Sequence, residues 1–409
     1  MVIPQLSRLQ ALCNALRYAD NPLPGMDVNL QKMGPSFRGY IGGIYPSIVT
    51  IDPDFIRHVL QKNHRNYHKS FLHFEKMADY LGNGLLTSDG AYWLQQRRLI
   101  QPGFHKEQLE ALTEIMLEVI DNFLQAFAQK VKHGPVDIYQ EMMELAFGVI
   151  ARSVFGKEVK VEDLQELSRN LTEIQAFIVQ QIRQPYLQPW LKWTGRIQHF
   201  KQLAAQSEAI ILKYIHERKN SGQKGIDLLQ MLLDARYQDS NEGMSERQLL
   251  DEINILLEAG HETSANALCW TWHLLSQHPE MATKIRREVQ TVLGNNQRPR
   301  FADLPAMAYT KQVIQESMRL FPPAWVTNRI AAEDDHFQGI HIPKGTIMVL
   351  YIYGVHHRDD LWPEPKKFDP ERFATDQTLV HPTPGQTVEL QPLITLRPKN
   401  GIQLHFTAR

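Results

Sequence analysis

The chain has 409 residues, of which 44 are Lys or Arg and 45 are Asp or Glu. This near balance excludes a general affinity for nucleic acid or acidic membranes, and the length allows one large domain or two ordinary ones. The two cysteines, Cys13 and Cys269, exclude a disulfide framework and predict a protein of the reducing cytoplasm.

The N-terminal segment is too polar to cross a membrane. Pro4, Arg8 and Arg17 interrupt it, whereas a spanning helix needs about 20 consecutive apolar residues. We therefore predict no membrane span and no secretory signal. After residue 35, apolar residues alternate with glycines, and the Ile-Val-Thr-Ile sequence at 48–51 predicts a β-strand.

Helical periodicity dominates from about residue 53 to residue 290. One long amphipathic helix is predicted over residues 108–131, ending near Gly134. Strand-like runs return at 337–352 and 391–406, and the polar breaks between elements are too short to be domain linkers. The pattern predicts a mainly α protein with a small β-rich part.

A second long helix is predicted over residues 246–278. Ser245, with Gln248 three residues later, fits a capping box at its start, and Pro279 ends it. A helix of this length spans roughly 50 Å. Such a helix crosses a whole domain.

The middle of this helix carries the sequence Ala259-Gly260-His261-Glu262-Thr263. A glycine inside a helix costs about 1 kcal/mol relative to alanine, so it calls for a reason. Ala259 and Gly260 would let a flat ligand approach the backbone, and the Thr263 hydroxyl can bond to the Ala259 carbonyl and bend the helix. The alternative is a packing glycine followed by a surface acid.

A pair of opposite charges lies in the helical pattern at residues 309–320. Glu316 and Arg319 are three residues apart and share a helix face. Pro322 ends the helix, and Arg372 follows downstream in Pro-Glu-Arg-Phe. A buried arginine must be paired, and its planar fork can hold two partners. The alternative is a surface pair that contributes a few tenths of a kcal/mol.

These two motifs, together with Trp93 and Arg97 four residues apart, resemble the signatures of the cytochrome P450 family. The resemblance covers about residues 30–375 and the C-terminal tail. It implies the mainly α cytochrome P450 fold, as a single domain over residues 1–409.

The resemblance also implies a function. It implies a haem b (iron) monooxygenase that hydroxylates a hydrophobic substrate with dioxygen, using electrons from a separate ferredoxin or flavoprotein. The central motif is more similar to that of bacterial fatty-acid hydroxylases than to that of small terpene hydroxylases. This favours a fatty-acid or lipid-like substrate.

By the same resemblance, each motif residue receives a role. Thr263 and Glu262 would handle protons, and Ala259 and Gly260 would contact the haem. The residues that would bind the haem propionates are Trp93, Arg97 and Arg329. The residues that would form a buried network under the haem are Glu316, Arg319 and Arg372. The residues that would line the substrate pocket are Phe71, Leu72 and Ala324. For Trp93 and Arg97 the alternatives are an ordinary buried aromatic and a solvated charge.

The chain departs from the family after Phe373. There the family has a glycine-rich loop with the cysteine that binds the haem iron, followed by a helix. Here Ala374-Thr375-Asp376-Gln377 follow, and on the order of fifty residues are missing after about residue 376. Cys269 fits a small buried side chain, so no metal ligand is assigned.

Two interpretations follow from this departure. In one, the intact protein has the loop and is a monooxygenase. In the other, the protein lacks the loop and is a catalytically dead shell that binds a hydrophobic ligand.

Overall fold

The structure is a computed structural model. It describes residues 3–156, 159–295, 298–374, 390–392, 395–398 and 403–404; some side chains within these ranges, including Leu72, are outside the description. Its α-helices are α1 (Arg8–Arg17), α2 (Leu23–Met33), α3 (Pro53–Arg57), α4 (Ala78–Leu81), α5 (Gly90–Ile100), α6 (Lys106–Lys130), α7 (Ile138–Phe155), α8 (Val161–Arg183), α9 (Gln188–Trp193), α10 (Arg196–Ser221), α11 (Leu228–Asp234), α12 (Glu246–Gln277), α13 (Pro279–Leu293), α14 (Ala308–Leu320) and α15 (Ile352–His356).

The strands are short and lie mostly at the two ends of the chain. They are β1 (Ser36–Ile41), β2 (Tyr45–Thr50), β3 (Tyr67–His68), β4 (Val136–Asp137), β5 (Thr327–Ala331), β6 (Asp335–Phe337), β7 (Ile340–Ile342), β8 (Ile347–Leu350), β9 (Leu390–Pro392), β10 (Leu396–Pro398) and β11 (Gln403–Leu404). The predicted fold class, mainly α with a small β part, is confirmed.

The largest sheet has the order β1-β2-β8-β5-β3. β2 and β8 are parallel, and the other neighbours are antiparallel. Tyr67 pairs with Ala331 and His68 with Ile330. This register brings the chain after β3 close to Arg329 on β5.

The long helix α12 begins and ends where its sequence signals predict. The Ser245 backbone N–H donates to Gln248 Oε1 (2.8 Å), and the Gln248 N–H donates back to Ser245 Oγ (3.3 Å). The helix ends at Gln277, one residue before the predicted end, and α13 begins at Pro279. Side chains on most of its circumference are buried. The helix therefore runs through the interior.

Two helices and a hairpin surround the middle of α12. α7 packs along much of its length, and Ala265 and Cys269 of α12 share an apolar cluster with Ile138 and Met142 of α7. In the tail, β9 and β10 form an antiparallel hairpin, as expected for the strand-like run after residue 391. The point where the missing loop would begin, about residue 376, lies outside the described residues.

Among the residues that the structure describes, no helix combines the length and the apolarity needed to cross a bilayer.

Candidate functional site

One side of α12 is open to solvent in the middle of the molecule. Ala259 and Ser264 are exposed and Thr263 is partly exposed, although the turns before and after them are mostly buried. The Thr263 hydroxyl donates to the Ala259 carbonyl at 2.6 Å, so its hydrogen is used inside the helix. Its oxygen stays available to accept a hydrogen bond from the open side.

Gly260 lies at the edge of this open side and packs against α7. A Cβ atom at this position would lie 2.8 Å from Cδ1 and Cγ1 of Ile150. The glycine therefore permits the close approach of α7, as in the packing alternative. A backbone contact between Gly260 or Ala259 and a flat ligand stays a prediction.

Glu262 is not a surface acid, because its side chain is only 3% exposed. The Arg397 guanidinium on β10 lies 3.7 Å from Glu262 Oε1. Burial raises the pKa of the Glu262 carboxyl, and the positive charge of Arg397 opposes this shift. The acid predicted to handle protons thus lies in a dry environment with one nearby cation.

A second carboxyl, missed in the sequence, lies one helical turn before Glu262. Glu258 is 7% exposed, and burial together with the charge of Glu262 raises its pKa to about 8. Asn266 lies one turn after Glu262, and its amide donates to the Thr395 hydroxyl (2.7 Å). The signal that could have revealed Glu258 is its spacing: it shares a helix face with the apolar residues Ala265 and Cys269.

The structure brings Glu316, Arg319 and Arg372 together in a buried network. Arg319 donates to both oxygens of Glu316 at 2.7 and 2.8 Å, and Arg372 Nε lies 3.3 Å from Glu316 Oε1. Further donors of Arg319 reach the carbonyls of His356 and Pro365, each at 2.8 Å. Glu316 and Arg319 are at most 2% exposed, so the surface-pair alternative is wrong.

Trp93 on α5 lies between two cations. The Arg97 guanidinium is 5.5 Å and the Lys69 ammonium 5.6 Å from the centre of its ring. Sequence reasoning missed Lys69, although it directly follows β3. Arg329 is partly buried and donates to the Asn328 carbonyl (2.8 Å).

Lys69 and Arg329 lie close enough to repel each other. Burial, reinforced by the Arg329 charge, lowers the pKa of Lys69 to about 8, while Asp89 and Glu252 oppose the shift. Burial also lowers the pKa of Arg329. Lys69 and Arg97 thus lie at Trp93, and Lys69 and Arg329 lie near Asp89. This surplus of positive charge fits a ligand with two carboxylates, such as the propionates of haem.

An apolar cavity of about 320 Å³ lies between α1, α2 and the five-stranded sheet. Trp325, Val326 and Asn328 line it at the end toward Arg329. Of the predicted pocket residues, Phe71 packs on Tyr45 with 4.5 Å between ring centres, and Ala324 is exposed beside Trp325.

The predicted pocket residue Leu72 begins a short π-helix, Leu72–Met77, but its side chain is outside the described part of the structure. Phe71 and Ala324 are not among the residues that line the cavity. Their contact with substrate stays a prediction.

Neither cysteine is placed to act as a thiolate ligand. Cys13 is exposed on α1. Cys269 is buried in the apolar cluster between α7 and α12, and burial raises the pKa of its thiol. A buried neutral thiol is a poor metal ligand. The residues present fit the propionates and the open side of α12, but they provide no thiolate.

The chain matches a known protein family over almost its whole length. A model described as Cytochrome P450 matches residues 4–392. The chain belongs to the cytochrome P450 family. The predicted enzyme class, a cytochrome P450 monooxygenase, and the predicted cofactor, haem iron, are confirmed at the level of this family.

Several P450 proteins are similar over most of the chain. Cyclooctat-9-en-7-ol 5-monooxygenase of Streptomyces melanosporofaciens is 32% identical, over 85% of this chain and 72% of the relative. Cytochrome P450 4A12 of Rattus norvegicus is 28% identical, over 83% and 70%. The solved structure of a retinoic acid-bound cyanobacterial CYP120A1 matches with a TM-score of 0.76 and 26% identity, over 92% of this chain and 82% of that one.

Proposed function

We propose that the protein, when its haem is bound through a thiolate, hydroxylates a hydrophobic substrate of fatty-acid or lipid-like character. The observation that carries this proposal is the apolar cavity, which runs along the sheet to the residues next to Arg329. Pockets with apolar walls and few polar groups suit apolar ligands. The similar CYP120A1 structure holds retinoic acid, an apolar chain with one carboxylate.

A thiolate-bound haem iron supplies oxygen activation, because the thiolate favours O–O cleavage. The protein's own residues would orient and protect this chemistry. Lys69, Arg97 and Arg329 hold the propionates, and Trp93 supports two of these cations. The region under the haem would be kept rigid by the buried network of Glu316, Arg319 and Arg372. Thr263 would accept a hydrogen bond from the open side of α12, and Glu262 would deliver a proton there.

Electrons come from a separate ferredoxin or flavoprotein in this proposal. Arg98 and Lys106 are exposed on the surface formed by α5 and α6, and an acidic partner would be attracted to such charges. Reduction by the partner would then slow as salt increases.

A second function is favoured by one specific feature. The chain has no cysteine after Phe373, and neither of its two cysteines can replace the missing ligand. A P450 shell without a thiolate could bind a hydrophobic ligand in the same cavity but could not activate oxygen.

The visible spectrum of the reduced protein with carbon monoxide decides between the two functions. The protein is expressed with an ample supply of haem. A strongly red-shifted Soret band indicates a thiolate-bound haem and supports the monooxygenase. An absent or unshifted band overturns it in favour of the binding shell, which fluorescence titration with a long-chain fatty acid then tests.

A further inference from the structure

The buried side of α12 that faces away from the opening carries two acids. Glu258 and Glu262 are four residues apart, so their side chains are neighbours on one helix face. Both are less than one-tenth exposed. Within the part of the chain that the structure describes, neither Glu262 oxygen has a hydrogen-bond partner within normal geometry, and neither does Glu258 Oε1. Two ionised carboxylates that are close together and shielded from water repel each other and lose their solvation. A cation or a proton must therefore offset one of the charges.

The charged, titratable and polar groups around this pair come from four elements. From β10, Arg397 lies 3.7 Å from Glu262 and also donates to the Tyr139 hydroxyl of α7 (3.2 Å). On α12 itself, His261 points to α7, where its ring packs on Phe147. Burial lowers the pKa of His261 to about 4, so this side chain is neutral at pH 7. From α8 comes only an uncharged group, the Gln175 amide, which helps to stabilise Glu262.

The two acids are therefore unequal. Glu262 has a cation and polar neighbours, including the Thr395 hydroxyl and the Asn266 amide, and all of these favour its charged form. Among the described residues, no group favours the charged form of Glu258, and the negative charge of Glu262 opposes it. Two carboxyls with one nearby arginine leave room for one extra proton.

We propose that this proton resides on Glu258, and that Glu258 passes it to the ionised Glu262, which then delivers it toward the opening. In this transfer the O–H bond of the Glu258 carboxyl breaks and one forms on Glu262. The negative charge moves one helical turn away from the opening. Glu258 is thus a proton-supplying residue behind the acid of the central motif. Its use in catalysis rests on the proposed monooxygenase function, whereas its protonation does not.

Infrared titration of the purified protein tests this assignment without any turnover. A protonated carboxyl has a carbonyl stretch that shifts in D2O. We expect such a band to disappear as the pH rises through about 8 and to be absent from Glu258→Gln. In Glu262→Gln the band remains but titrates at lower pH than in the wild type, because the negative charge of Glu262, which raises the Glu258 pKa, is gone.

A matched control keeps the test specific. Glu252 is another buried acid of α12, and burial raises its pKa to about 7. Glu252→Gln should leave the band of Glu258 in place. A band that survives in Glu258→Gln, or a midpoint unchanged in Glu262→Gln, would overturn the proposal. If Glu258→Gln fails to fold, Glu258→Asp keeps the carboxyl, and the band must then remain with a shifted midpoint.

The two proposals fail in different experiments. Without a thiolate-type carbon monoxide spectrum the monooxygenase function fails, but the infrared band of Glu258 is still expected. With that spectrum and the band both present, Glu258→Gln should form several-fold less product per electron consumed. Unchanged product yield would overturn the transfer from Glu258 to Glu262.

Discussion

Two buried charge clusters of this protein have opposite compositions. Under the predicted haem position, one acid, Glu316, meets two arginines, and the spare donors of Arg319 reach backbone carbonyls. On the buried side of α12, two acids, Glu258 and Glu262, have one nearby arginine, and three of their carboxylate oxygens have no hydrogen-bond partner among the described residues.

Burial has different consequences for a cluster with excess arginine and for a cluster with excess carboxylate. Excess arginine donors can be satisfied by carbonyl groups, which every chain supplies, so the first cluster can keep its charges and hold its elements together. Excess carboxylates can be satisfied only by donors, cations or protons. The second cluster is therefore suited to store a proton.

The largest expected effect comes from breaking the first cluster. Arg319→Ala leaves Glu316 buried without its main partner, and the free energy of unfolding should fall by about 3–5 kcal/mol. Urea denaturation measures this change.

A surface ion pair provides the control for this substitution. Lys344 and Glu333 are 2.9 Å apart, but their side chains are 64% and 73% exposed. Glu333→Gln should cost less than about 1 kcal/mol. Similar losses in the two variants would show that the buried network has no special role.

A smaller effect is expected for Arg97, the positive charge of which would pair with a haem propionate. Among the described residues, Arg97 has no carboxylate within ion-pair distance and lies on the Trp93 ring. Arg97→Gln should therefore weaken haem binding about tenfold, because a hydrogen bond to a charged group contributes about 1.5–3 kcal/mol. The rate of haem transfer to an apoglobin measures it.

The adjacent residue Arg98 is the matched control, since it lines a different groove, between α5 and α11. Arg98→Gln should retain haem as the wild type does. Equal haem loss from both variants would remove the argument for a propionate site at Arg97.

The smallest effect on stability is expected at Thr263. Its hydroxyl donates to the helix backbone, a bond that contributes little to stability. Thr263→Val should change the free energy of unfolding by less than about 1 kcal/mol, yet lower the product formed per electron consumed. Thr263→Ser keeps the hydroxyl and should restore that yield; a serine variant as poor as valine would contradict a role for the hydroxyl.

The sequence was sufficient where the signals are local. The capping box at Ser245 and the proline at 279 located α12 to within one residue, because caps and breakers act over a few neighbouring residues. The i,i+3 spacing of Glu316 and Arg319 likewise identified the pair, and the family resemblance added Arg372.

The remaining site residues depend on contacts between distant segments. Arg397 approaches Glu262 only because the β9–β10 hairpin packs beside α12. Lys69 approaches Arg329 only because β3 pairs with β5. No local periodicity encodes such pairings. Glu258 did carry a local signal, because it shares a helix face with apolar residues. The sequence did not show, however, that its side chain is buried.

The pH dependence of stability tests most directly whether the second cluster stores a proton. The folded protein keeps the Glu258 proton up to about pH 8, whereas the unfolded chain releases it near its ordinary value of 4.5. The folded state therefore binds more protons between these values, and the free energy of unfolding should fall as the pH rises. The contribution of one such group is roughly 1.4 kcal/mol per pH unit.

Urea denaturation of the wild type and of Glu258→Gln between pH 5 and 8 isolates this contribution, because Glu252, Glu262 and His261 are present in both proteins. We expect the difference in free energy of unfolding between the two proteins to change steadily with pH, because the variant loses less stability as the pH rises. Parallel curves would show that Glu258 holds no proton in the folded protein and would contradict the account.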